Sequence, residues 1–328
     1  MSFDTDHIEI DAAGNIKACS TNQVLSGKPY YEYQQIPCGR CIGCRLDYSR
    51  EWANRCMIEL QFHDSSYFVT LTYDDLHLPL SSYCLEETGE IGTSATLVKR
   101  DLQLFMKRLR KAHCAKYGDD AQLRFFAAGE YGSRTHRPHY HVIIFGLKLD
   151  DLKFYKRNSF PSSYDLYSSE WLSNIWKKGY VVVGNVTWDT CAYTARYIVK
   201  KQYGNAAEVY DKYNFAPEFT NMSRKPGIGR EYYEEKKESI KDCLRRNDTI
   251  PISDGSRVIE ARTPRYYEYL FDIEEPDLLP EIKLTRQRIA ADLTEIKQES
   301  TSDDYLTMLA KEEEVKLASV SVLKRKEI

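Results

Sequence analysis

No stretch of this 328-residue sequence approaches the roughly 18 consecutive apolar residues of a membrane span. Its opening, Met1-Ser2-Phe3-Asp4-Thr5-Asp6, has neither the basic start nor the apolar block of a secretory signal. Both absences lead to the expectation of a cytoplasmic protein without a membrane role. An excess of one charge is missing too, since 46 Lys and Arg meet 49 Asp and Glu, and so the whole-chain balance does not mark a nucleic-acid binder. Distribution says more: basic residues dominate 99–141 and acidic ones dominate 266–328. An even cysteine count is also lacking. Nine cysteines, four of them within 38–56, read as a reduced thiolate cluster and not as an extracellular disulfide framework. What is present, 42% apolar and 29% charged residues, excludes wholesale disorder and leaves room for one large domain or two small ones.

Periodicity supplies the elements. Residues 1–37 carry weak signals for a strand or two, and 46–62 places its apolar residues at helical spacing. The run 67–73 is β-branched and aromatic, a buried strand that leaves into a loop expected over 80–95. A helix is predicted over 96–117, closed by Gly118. Strands over 123–129 and 139–145 flank a polar hairpin connection. A helix over 165–178 ends at Gly179, a strand covers 180–186, and another helix covers 191–203. Helical periodicity returns in 230–246 and 281–323. This order implies an α+β fold with a central antiparallel sheet and flanking helices, not a doubly wound one. The expected divisions are an N-terminal segment 1–63, a domain 64–230 and an acidic, mostly helical extension 231–328.

Three constellations carry chemistry. In His139-Tyr140-His141 the two imidazoles alternate to the same side of a strand. With Glu130, on the facing end of the neighbouring strand, they make a His₂-carboxylate donor set for a divalent ion that leaves positions open for substrate oxygens. Tyr193 and Tyr197 lie four apart on a helix, with Lys200 three further on the same side. A phenol titrating near 10 needs a polarised phosphate and a nearby ammonium to attack at neutral pH. Among 25 tyrosines, such a pair also fits a packing face. The spacing Cys38-x2-Cys41-x2-Cys44-x11-Cys56 offers four thiolates for a structural zinc ion, with part of an iron–sulfur run or unligated thiols as the other readings.

Taken in order, these landmarks resemble the rolling-circle replication initiators of the HUH endonuclease superfamily, most closely those of gokushovirus-type microviruses. The residues that carry the resemblance are the Cys38 to Trp52 segment, Phe68-Val-Thr-Leu-Thr-Tyr73, Gly129-Glu130-Tyr131-Gly132, Arg137-Pro138-His139-Tyr140-His141, the 193–201 helix and Pro226-Gly227-Ile228-Gly229. The resemblance implies a ferredoxin- or RRM-like sheet and a Mg²⁺- or Mn²⁺-dependent enzyme that nicks and rejoins single-stranded DNA at an origin through a phosphotyrosine. In that scheme His139 and His141, with Glu130, hold the ion. Tyr193 and Tyr197 are nucleophiles, Tyr197 first by its match to a Tyr-x-x-Lys pattern, and Lys200 is a phosphate or phenolate partner. Arg134, Arg137 and Lys201, with Lys107, Arg110 and Arg124, are expected DNA contacts in a basic groove. A bacterial host cytoplasm and host replication proteins as partners also follow. The competing readings are a non-catalytic zinc-containing nucleic-acid-binding protein and a metallohydrolase without covalent chemistry.

Overall fold

The strand 67–73 and the run 138–145 read as near-continuous apolar segments because both of their faces are covered. A computed structural model describes residues 6–10, 16–19, 33–36, 39–118, 122–132, 135–158, 164–196, 201–202, 204–246, 249–253 and 258–324. In chain order the strands are β1 Asp6–Ile10, β2 Ile16–Cys19, β3 Tyr33–Ile36, β4 Ser66–Tyr73, β5 Leu80–Cys84, β6 Ile91–Ala95, β7 Arg124–Tyr131, β8 Pro138–Phe145, β9 Lys153–Asn158, β10 Tyr164–Ser168, β11 Gly179–Asn185, β12 Phe219–Met222, β13 Thr249–Ser253 and β14 Val258–Arg262. The helices used below are α1 Ile42–Leu60, α2 Lys99–Tyr117, α3 Glu170–Trp176 and α4 Trp188–Arg196.

The chain divides into two compact units, residues 49–282, and residues 1–48 with 283–328. The second unit holds an antiparallel sheet in the order β2-β1-β3, and two long helices, Leu278–Glu299 and Tyr305–Lys324, that reach into it or lie within it. Lys297 and Glu312 join these helices at 2.8 Å.

The first unit is built on a seven-stranded antiparallel sheet in the order β12-β7-β8-β4-β11-β10-β9. One face packs Val69, Leu71, Tyr140, Val142 and Ile144 against Leu102, Phe105 and Leu109 of α2 and Leu172 and Trp176 of α3. The other packs Phe68, Phe126, Ile143 and Phe145 against Trp52, Met57 and Ile58 of α1 and Cys191, Ala192 and Ala195 of α4. Trp52 stacks on Phe126 with ring centroids 4.9 Å apart. Full burial of one such side chain is worth about 1.5–3 kcal/mol, so each face supplies a core of its own. The expected α+β architecture, an antiparallel sheet with flanking helices, is what forms.

The Pro226-Gly227-Ile228-Gly229 turn is a lock within this unit. Arg55 of α1 donates to the Ile228 carbonyl at 2.8 and 3.2 Å. Glu59 accepts the Gly229 amide at 2.6 Å, Arg124 of β7 donates to the Pro226 carbonyl at 2.9 Å, and the Tyr267 hydroxyl donates to the Gly229 carbonyl at 2.7 Å. Gly229 has φ +80, and a Cβ there would stand 3.0 Å from the Tyr267 hydroxyl, so glycine alone fits without strain. Ile240, Leu244, Ile250, Ile252, Tyr267 and Phe271 join the same buried cluster as Trp52 and Phe126.

Several elements differ from expectation. Residues 80–95 are not a loop: β5 and β6 pair in register from Leu80 with Ala95 to Cys84 with Ile91. Their alternation is mostly of small polar residues, which gave no apolar signal. The helix expected over 165–178 is shorter, because β10 occupies its first part. Ser169 caps α3, its Oγ accepting from the Leu172 amide at 3.1 Å, and Asp151 takes the Ser169 hydroxyl at 2.8 Å. Strands β9, β12, β13 and β14 gave no separate signal in the sequence.

Candidate metal centre

Side chains two apart on a strand share a face, so His139 and His141 of β8 point to the side covered by α1 and α4. On β7, Glu130 is the direct antiparallel partner of His139, and Ala128 that of His141. Opposite a small alanine, His141 has room to lean toward the carboxylate. Glu130 Oε1 lies 2.6 Å from His139 Nε2 and 3.0 Å from His141 Nε2. One donor atom from each of the three residues falls within 4.8 Å of the others, the one such grouping of three or more His, Cys, Asp or Glu among the described residues.

The other ring nitrogens are engaged as well. His139 Nδ1 is 3.1 Å from the Arg137 carbonyl, an acceptor only, so this nitrogen carries the proton and leaves Nε2 as the lone-pair atom of the neutral ring. His141 Nδ1 is 3.1 Å from Thr70 Oγ1, the residue paired with it on β4. Second contacts of this kind orient imidazoles toward an ion. From the opposite face, Tyr140 pins the strand between the two ligands: its hydroxyl accepts from the Val98 amide at 3.0 Å and lies 2.7 Å from the Tyr73 hydroxyl.

Burial penalises the charge of Glu130 and would raise its titration, but hydrogen bonds from His139 and His141 and their positive charge outweigh it. The carboxyl is held well below the usual carboxylate range. Its side chain is only 3% exposed, against 16% for His139, so solvent and substrate reach the trio from the His139 side. Two imidazole nitrogens and a carboxylate suit a divalent ion. Ligands about 2.1 Å from such an ion in an octahedron stand about 3 Å apart, close to the spacing here.

Over the same face lies α4. The Tyr193 ring is 5.3 Å from that of His141 and 6.2 Å from that of Phe68, which in turn stacks on His141 at 5.4 Å. Residues from β7, β8 and α4 thus meet as the sequence suggests. Tyr197, Lys200, Arg134 and Cys38 lie outside the described residues. Lys201 is half-buried, and the contacts that assemble the trio do not involve it.

Other expectations need correction. Arg137 donates to the Tyr73 carbonyl at 2.8 Å and to Asp75, tying the β7–β8 turn to the end of β4. Lys107 and Arg110 sit on α2, whose buried side covers the sheet face opposite the trio. Arg124 belongs to the lock, bound to Glu59 and Pro226. Cys56 does not complete a four-thiolate set: on one helix it follows Cys44 by twelve residues, about 18 Å of rise, whereas thiolates on one zinc ion stand within about 4 Å. It is wholly buried against Cys191, and burial pushes its thiol up. Thr70 went unrecognised, because its pairing with His141 joins strands distant in the chain and leaves no local mark.

A family model described as replication-associated protein ORF2 matches residues 66–202, the stretch that carries the trio and Tyr193. The chain is 32% identical to the replication-associated protein ORF2 of Spiroplasma virus 4, across 87% of this chain and 83% of that relative. Identity to the replication-associated protein VP4 of Bdellovibrio phage phiMH2K is 31%, across 84% and 79%. With the replication-associated protein ORF4 of Chlamydia phage 1 it is 31%, across 52% of this chain and 41% of the relative. No solved structure matches. The extent of these alignments, on top of a site assembled from the strands and helix that the family model spans, establishes that the chain belongs to the family of replication-associated protein ORF2, with relatives among the microviruses.

Proposed function

We propose that this protein initiates replication of a small phage genome by cutting single-stranded DNA at an origin and holding the cut end on a tyrosine. The observation that carries the reading is the placement of Tyr193 beside His141 on the face that bears the trio. The relatives' names support the replication role. The chemistry rests on the donor set and the phenol. No described helix is long and apolar enough to cross a membrane, and the proposed site of action is the interior of the host cell.

Glu130, His139 and His141 would hold Mg²⁺ or Mn²⁺, and the bound ion would supply charge to the scissile phosphate and its leaving oxygen. The Tyr193 oxygen attacks phosphorus as the bond to the 3′ oxygen breaks. A new phenolic O–P bond forms, the phenol's proton passes through water to the departing 3′ oxygen, and the 5′ phosphate stays on the protein. Helix α4 fixes the ring's approach, which is the positioning that phosphoryl transfer chiefly needs. Tyr197, four residues on in sequence, is the proposed second nucleophile for resolving one round of synthesis, with Lys200 as the ammonium partner.

The test is incubation of the full chain with Mn²⁺ and a labelled single-stranded circle of its own genome, followed by a denaturing gel. The expected product is an SDS-resistant protein–DNA adduct, lost with EDTA and in the double variant Tyr193→Phe, Tyr197→Phe. Metal-dependent cleavage that survives in that variant would replace tyrosine chemistry with a metallohydrolase. Binding of DNA and metal without cleavage would leave a binding module.

A further inference from the structure

On the face that carries the trio, antiparallel register aligns Glu130 of β7, His139 of β8, Thr72 of β4 and Tyr180 of β11 in one row across the sheet. Tyr180 stands on an interior strand, with partners on both sides, yet 67% of it is exposed. Its neighbours on β11, Val181 and Val183, face the other way and are buried. The row therefore begins at a buried carboxylate, passes the most open of the three candidate ligands, and ends at a bare aromatic ring.

The backbone holds this ring at the sheet's end by a close fit. Gly179, just before it, has φ +143, and a Cβ there would fall 2.3 Å from the Thr72 carbonyl oxygen and 2.4 Å from the Asp74 amide. Only glycine lets β11 begin where it does, so the position of Tyr180 relative to Thr72 is fixed. The exposed Lys177 lies three residues before Tyr180, where the chain leaves α3 in a left-handed turn, and adds a cation at the same strand end.

Two strand spacings of about 4.8 Å separate His139 from Tyr180, a span of about 10 Å. At about 3.4 Å of rise per nucleotide, that span is two to three nucleotides of a single strand. We propose that Tyr180 is a stacking platform for a nucleobase of the DNA strand whose phosphate lies at the trio. The occupant is single-stranded DNA, since a ring in an open row accepts the face of any base, while a paired base keeps both faces inside its duplex. This inference rests on the nicking reading above and names a subsite within it.

The experiment measures adduct formation on the single-stranded circle at varied DNA concentration, with wild type, Tyr180→Ala, Tyr180→Phe and Tyr180→Trp. Tyr155→Ala, which removes an exposed aromatic from the edge strand β9, serves as the control. Tyr180→Ala is expected to raise KM about ten-fold, within the range that stacking of one base supplies, with the effect on KM and not on kcat. Tyr180→Phe restores KM, and Tyr155→Ala leaves it at the wild-type value. The Tyr180→Trp variant gains an indole signal over wild type that the strand quenches. Equal KM for Tyr180→Ala and wild type, or no quenching beyond wild type, overturns the subsite while the nicking reading stands. If wild type forms no adduct, the nicking reading fails, and the quenching measurement alone then decides whether Tyr180 stacks on DNA.

Discussion

Two buried glutamates, each beside a histidine and both on the α1 side of the sheet, have opposite surroundings. Glu59 lies 3.2 Å from His63 and is also met by the Arg124 guanidinium and by the Gly229 amide at 2.6 Å. Glu130 is met by two imidazoles. A guanidinium carries its charge at every accessible pH, whereas an imidazole is neutral through most of the physiological range. Glu59 is thus neutralised by the protein itself. Glu130 sits among groups that, when neutral, present a lone pair beside a carboxylate, an arrangement that a cation completes. The difference teaches that a buried carboxylate marks a functional centre through its partners' titration behaviour, not through its burial.

The sharpest break of this comparison is the reciprocal pair Glu59→Gln and Glu130→Gln. Glu130→Gln is expected to lower Mn²⁺ affinity by more than about a hundred-fold, beyond what loss of a second contact to a ligand costs, while thermal stability without metal stays level or rises. Glu59→Gln leaves Arg124 buried without its anion and should cost roughly 3–5 kcal/mol of folding stability, with Mn²⁺ binding retained below the melting temperature. Calorimetric titration and thermal melts read both. If Glu59→Gln removes metal binding from folded protein, or Glu130→Gln unfolds it, the division of labour is wrong.

Acidity tests the same contrast from the side of the lock. Burial would raise the titration of Glu59, but His63, the Gly229 amide and Arg124 together bring it below the usual value. A depressed carboxylate contributes stability that is present in full above the ordinary glutamate value, about 4.3, and is lost as pH falls below it through the folded value. Denaturant midpoints of wild type should therefore drop below about pH 4, and Glu59→Gln should flatten that drop. Parallel curves for the two proteins would remove Glu59 from the lock's account.

The smallest effect belongs to Thr70. Thr70→Val deletes the contact to His141 Nδ1 and is expected to weaken Mn²⁺ binding about ten-fold, whereas Thr70→Ser, which keeps the hydroxyl, stays near wild type. Equal affinity for all three would show that β8 orients His141 unaided.

Much of the centre was legible because it is local. Alternation alone put His139 and His141 on one side, and a hairpin-length link placed Glu130 across from them. Neighbours contributed by β4 and β11, Thr70 and Tyr180, were not legible, since pairing between strands far apart in the chain leaves no periodic trace. Cys56 was misread because cysteine spacing was counted along the sequence, while the helix that carries it converts twelve residues into distance. The strands over 80–95 hid behind small polar residues, and α3 was drawn too long because the Ser169 cap was passed over.

The β7–β8 hairpin also orders events in time. Glu130 meets its two imidazoles across only nine and eleven residues, whereas Glu59 reaches Gly229 across 170. Short loops close at little entropic cost and non-local pairings come late, so the ion's ligands gather well before α4 is docked and before the lock shuts. A chain emerging during synthesis, or one that has opened locally, can then capture metal while it still lacks an aimed phenol. Cutting is deferred to the finished fold, which keeps half-built copies from severing the genome they are made to copy.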